Sequence, residues 1–193
     1  MLPNFETDQW VASFSPIAPE KLHALGAITL YWNNCEIGLF VLFSFVSGMR
    51  WSQAWAVGTE LREVSTAKSI LALSDASAND EAVKQMVRDT IKLYGVNRVN
   101  RNHLIHFTTS GDVNDLQFMK ASGPAYSLRP IPSSVEDIRR VAENLKTLSD
   151  HLEAVADFFL SRVTTASGAR HLPLPQTPSV PELLLKTPRS SPP

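Results

Sequence analysis

Cysteine is nearly absent from this chain: Cys35 is the single one in 193 residues. That excludes an intramolecular disulfide and a cysteine-based zinc site, and it fits a reducing, cytoplasmic setting. A surplus of charge is missing too. The net charge is −1, so no global field marks nucleic acid or anionic lipid as a partner, and any such case rests on local charge. The sequence has no Gly-rich phosphate loop, internal repeat or metal-ligand cluster, and nothing in it calls for a cofactor or a metal. The N-terminal stretch MLPNFETDQWVASFSP lacks the basic start and unbroken apolar segment of a secretory signal. The most apolar run, IGLFVLFSFVSGM from Ile37 to Met49, is shorter than the ~20 residues that cross a bilayer. It reads as a buried helix, and no membrane partner is expected.

What is present is ordinary globular material, with 44% hydrophobic and 19% charged residues. The length suits one domain with extensions. Residues 1–17 read as an N-terminal extension, 18–166 as a helical domain, and 167–193 as a tail whose prolines leave it disordered or extended. The expected fold is all-α, an antiparallel bundle of four or more long helices. The first runs from about Pro19 to Gly48, with Leu22, Leu25, Ile28 and Trp32 at helical steps. The second covers roughly Trp51 to Ser74, with Leu61, Val64, Ala67 and Leu71 as its inner stripe. Asn79 or Ser77 caps a third, which turns Val83, Met86, Val87, Ile91 and Tyr94 inward and runs to about His106. A short β-hairpin fits between the third and fourth helices, near Leu116 to Lys120 and Ala125 to Arg129. The fourth helix starts at SSVEDIRR, where Ser133 and Glu136 have capping-box spacing, and carries an apolar stripe from Val135 to Val155.

The third helix holds the one basic stretch. From Lys84 to His106, five cations (Lys84, Arg88, Lys92, Arg98, Arg101) stand against Asp89, a local excess of four. A solvated face with cations at the C-terminal end of the helix dipole accounts for the charge. It does not account for NRVNRNHLIHF, Asn97 to Phe107, which sets His103 and His106 beside Arg101 and Asn102. Those side chains suit phosphodiester chemistry: histidine exchanges protons near neutral pH, arginine neutralises a phosphate through a rigid fork, and an amide orients either. With a ribose 2′-OH as internal nucleophile, no metal is required. At ~100° per residue, Asn102 and His106 share a face, while Arg101 and His106 are ~140° apart. A two-fold dimer joining two such helix ends can supply both to one phosphate.

RNHLIH resembles the motif of the HEPN superfamily: an arginine, a polar residue after it, and a histidine four to six positions further, near the end of a long helix in an all-α bundle. Arg101, Asn102 and His106 fill those positions, and TLYWNNCEIGLFVLF resembles the first helix of many members, with Glu36 as the cleft acid. The resemblance covers roughly Pro19 to Val163. Arg98 and His103 have the same R-x4-H spacing, but Val99 stands where the family has a polar residue. The resemblance implies a homodimer and, in active members, a metal-independent endoribonuclease acting on RNA, often in toxin or defence systems where an antitoxin is a partner. His106 would move protons, Arg101 stabilise phosphate charge, and Asn102 orient; Glu36 and His103 would support. Some members are silent modules that bind RNA, a nucleotide or a protein.

Plainer readings stand beside these. Glu36 serves equally as half of a buried ion pair. His103 packs or caps, and His106 caps the helix end. Trp32, Trp51 and Trp55 are core at helical spacing rather than base-stacking platforms, and Asn33 and Asn34 are surface. A third function class is a helical adaptor whose proline-rich tail recruits a partner.

Overall fold

The structure, a computed structural model, describes residues 17–110, 117–122, 127–163 and 171–184. Apart from Ile17, the expected N-terminal extension lies outside these residues. The elements are α1 (Pro19–Ser47), α2 (Trp51–Glu60), α3 (Glu63–Ala76), α4 (Glu81–Ile105), β1 (Thr108–Ser110), β2 (Gln117–Ser122), β3 (Ser127–Pro130) and α5 (Val135–Val163). The chain is thus mostly helical, with one small antiparallel sheet of order β1-β2-β3. No helix among the described residues is long and apolar enough to cross a membrane.

The helix ends follow local chemistry. Gly48 takes the left-handed conformation (φ 69°) that stops α1. Asp80, rather than Asn79 or Ser77, caps α4: its Oδ1 accepts the Val83 amide at 2.9 Å, because Asp80 directly precedes the first helical residue. For the same reason the cap of α5 is Ser134, not Ser133. Its Oγ accepts the Asp137 amide at 3.0 Å and donates to the Asp137 carboxylate at 2.8 Å.

The second expected helix is two helices. Leu61 and Arg62 are extended, with ψ of 123° and 153°, so the hydrogen-bond ladder breaks between α2 and α3. The inner face also differs from the expected stripe. Val64 is exposed, and the buried positions are Ala54 and Gly58 on α2 and Thr66, Ile70 and Ser74 on α3. Small and hydroxylated residues let the backbone approach closely, and a hydrophobicity pattern does not register them. At Gly58 a Cβ would overlap the Phe40 ring.

The chain divides into two compact units, whose boundaries fall inside α1, α4 and α5. One comprises Leu30–Asn97 and Asn144–Pro181. Its core holds Trp32, Leu39, Leu42, Ile70, Val87, Tyr94, Leu145, Leu148 and Phe158, all nearly inaccessible to solvent. Within it α1 lies against α5: the Cys35 thiol donates to the Leu145 carbonyl at 3.4 Å, and Phe45 stacks on Phe159. A Cβ at Gly38 would come within 2.8 Å of Leu152 Cβ. Helices α4 and α5 run antiparallel there, since Thr90 meets His151 and Asp80 meets Arg162.

The other unit comprises Met1–Thr29, Arg98–Glu143 and Glu182–Pro193. Its core is built on Ile28, Leu104, Phe118, Ile131, Ile138 and Val141. Phe118 on β2 stacks on Phe107, which follows α4, with centroids 3.8 Å apart. The sheet has one strand more than the sequence pattern offers. In β1 all three residues are exposed, so no alternation of apolar and polar residues announces it; Thr109 pairs with Phe118 and Lys120 with Arg129.

Residues 171–184 of the tail carry neither helix nor strand and are fastened at two places. The Leu172 amide donates to Ser161 Oγ at 3.2 Å in the first unit. In the second, Asn100 holds Glu182 and Leu184.

Candidate functional site

The end of α4 carries the motif. Arg101 Nη1 donates to Asn102 Oδ1 at 2.9 Å, and the Asn102 carbonyl accepts the His106 amide at 3.3 Å. Asn102 is therefore tied to both partners, through its side chain to the arginine and through its backbone to the histidine. His106 lies one residue past the last helical position and is exposed, while Arg101 and Asn102 are half-buried.

His103 is half-buried, and its Nδ1 is enclosed without a hydrogen-bond partner. Burial pushes its pKa below the usual imidazole value, and the nearby Lys120 ammonium pushes it the same way. Burial likewise lowers Lys120. Glu36 belongs to the other unit, on α1, where it is half-buried. Burial drives the Cys35 thiol up to about 12, with the charges of Glu36 and Asp150 adding to the effect. Cys35 is thus a protonated packing group, not a nucleophile. Among the described residues, no group of three or more His, Cys, Asp or Glu side chains could hold a metal ion.

The asparagines of the segment separate into different roles. Asn97 is buried and donates to the Leu93 carbonyl at 3.0 Å, a bond within its own helix. Asn100, also buried, donates from Nδ2 to the Glu182 carbonyl at 2.9 Å and accepts the Leu184 amide on Oδ1 at 2.8 Å. One side chain thus pairs with an extended backbone as a neighbouring strand would. The sequence does not foretell this clamp; its only signal there is a polar residue on the apolar side of α4.

The tryptophans also divide. Trp32 is buried, its ring 5.0 Å from that of Tyr94. Trp51 and Trp55 are not core: they are 45% and 42% exposed and lie against each other on α2. The short α2 buries Ala54 and Gly58, and Trp55 packs edge-on against the Phe40 ring beside Gly58 while staying part-exposed. Asn33 and Asn34 are exposed. No family model matches the chain, and no curated protein or solved structure matches it.

Proposed function

We propose that the chain is a HEPN-type endoribonuclease that cleaves RNA without a metal, at a composite site formed by the α4 ends of two copies. The observation that carries this reading is the linkage of Arg101, Asn102 and His106 at one helix end, with the imidazole exposed. The RNA 2′-OH attacks the adjacent phosphorus, and the bond to the 5′-oxygen breaks. One imidazole takes the 2′-OH proton, and the imidazolium of the other copy protonates the leaving oxygen. Arg101 balances the charge that grows on the phosphoryl oxygens, and Asn102 fixes the direction of its guanidinium. With this reading go an antiparallel bundle of long helices, a cytoplasmic homodimer, His103 as a supporting group, and a toxin or defence role in which an antitoxin is the partner.

One observation favours a second reading, a silent helical module that binds RNA, a nucleotide or a protein. The Arg101 guanidinium is half-buried and already commits a donor to Asn102, as a purely structural arginine would. Cleavage of a structured RNA pool in EDTA by wild type and His106→Ala separates the two. The nuclease reading requires a loss of roughly 10²–10⁴-fold in rate with helicity unchanged. A wild type that is folded and dimeric but leaves every RNA intact selects the silent module.

A further inference from the structure

The small sheet carries an unexplained concentration of positive charge. Side chains alternate along a strand, so Phe118 and Lys120 project from the same face of β2. The register sets Arg129 of β3 directly opposite Lys120, and directly opposed like charges destabilise a sheet. Lys21 of α1 joins them, its Nζ 5.3 Å from the centroid of the Phe118 ring. His103 of α4, two positions beyond Arg101, is close enough to Lys120 to feel its charge, and its Nδ1 is enclosed without a partner. All of these residues belong to one unit. Among the described residues, no carboxylate is ion-paired with Lys21, Lys120 or Arg129.

A protein that sets two cations face to face across a strand pair, with a third over the neighbouring Phe118 ring, sacrifices stability that a bound anion would restore. We infer that Lys120 and Arg129, flanked by Lys21 and His103, form a phosphate-binding subsite for RNA beside the α4 motif, holding a backbone phosphate other than the one cleaved. This rests on the RNA reading above and adds to it a path: the strand runs from the α4 end onto the sheet. Arg129 is exposed and Lys120 half-buried, so an incoming phosphate meets the guanidinium first and the ammonium behind it. The subsite positions substrate and takes no part in bond breaking.

The test uses the full chain and a short fluorescent 2′-O-methyl RNA, which binds but lacks the attacking hydroxyl. Arg129→Glu turns the like-charge pair into an attractive one. The subsite requires that this variant melt no lower than wild type yet bind the RNA about tenfold more weakly, with the slope of log affinity against log salt shallower by roughly 0.7 for each phosphate that is no longer neutralised. Lys120→Gln, read in parallel, gives a second decision if the reversal fails to fold. RNA affinity unchanged in both variants would overturn the subsite and leave the RNA reading standing. A wild type without salt-dependent RNA binding would overturn both. Inorganic phosphate at matched phosphate concentration supplies the last arm: complete displacement of the RNA would mark a site for free anions and overturn the assignment to a polymer.

Discussion

Arg101 donates a hydrogen bond to Asn102, the residue directly after it, at 2.9 Å. Consecutive helical side chains point ~100° apart, and the long arginine side chain spans that angle to reach its neighbour. That bond fixes the direction of the guanidinium. Arg101→Lys should therefore not be conservative, since an ammonium lacks the planar fork. The expected result is at least about a tenfold loss of RNA cleavage with a melting temperature close to that of wild type. Asn102→Ala should lower the rate in the same direction with little effect on folding, because a half-exposed hydrogen bond contributes only about 0.5–1.5 kcal/mol.

Asn100 and the tail make a separate prediction. Asn100→Leu removes both hydrogen bonds to Glu182 and Leu184 while keeping the side-chain volume, and should cost about 1–3 kcal/mol. Leu184→Pro removes only the tail donor and leaves α4 untouched. Both variants should make the chain around residue 184 more sensitive to limited proteolysis, with the proline variant retaining the wild-type helical signal. Protection unchanged in both would mean that the clamp does not hold in solution.

The histidines give a pH dependence of definite sign. Burial lowers the folded pKa of His151, and burial with Lys120 lowers that of His103. Each therefore contributes stability that is complete above the unfolded value near 6.5 and is lost as pH falls from there toward the folded value. Thr90 gives its hydroxyl proton to the Met86 carbonyl and so accepts from His151 Nε2, 2.9 Å away. The melting temperature should drop on acidification below about 6.5, and His151→Gln, which keeps a donor but does not titrate, should flatten part of that drop.

Cys35 should be inert. Its folded pKa of about 12 lies above the ordinary value of 9.0, so the thiol stays protonated at neutral pH. Alkylation by iodoacetamide at pH 8 should proceed only after denaturation. The raised pKa contributes stability below the unfolded value, lost as pH climbs toward 12.

Gly38 lets α1 pass close to α5, with Leu152 Cβ 2.8 Å from where a glycine substituent would sit. Gly38→Ala gains helix propensity but must push α5 away at a methylene next to the backbone. The net change should be a loss of about 1–3 kcal/mol, readable by urea denaturation.

The parts of this protein that the sequence discloses are those that use apolar side chains at regular spacing. Val83, Met86, Val87, Ile91 and Tyr94 on α4 are all buried, as their period requires. The break at Leu61 and Arg62 was not legible, because its cause is backbone conformation and an inner face of Ala, Gly, Thr and Ser that carries little hydrophobic signal. Strand β1 is three exposed residues and offers no pattern. In the polar segment of α4, residue types suggested one shared purpose, yet Asn97 serves its own helix and Asn100 grips a partner more than eighty positions away. Local sequence contains no trace of such a distant contact. Arg101, Asn102 and His106 are singled out in the sequence by their spacing, and the fold sets them together at the end of α4.

The central claim is the chemistry at His106, and the chemical form of the cut ends tests it most directly. RNA incubated with the 193-residue chain in EDTA should yield 2′,3′-cyclic phosphate and 5′-hydroxyl ends, and His106→Ala of unchanged helicity should yield none. Cleavage that persists in His106→Ala, or that leaves 5′-phosphate ends and stops in EDTA, would contradict it.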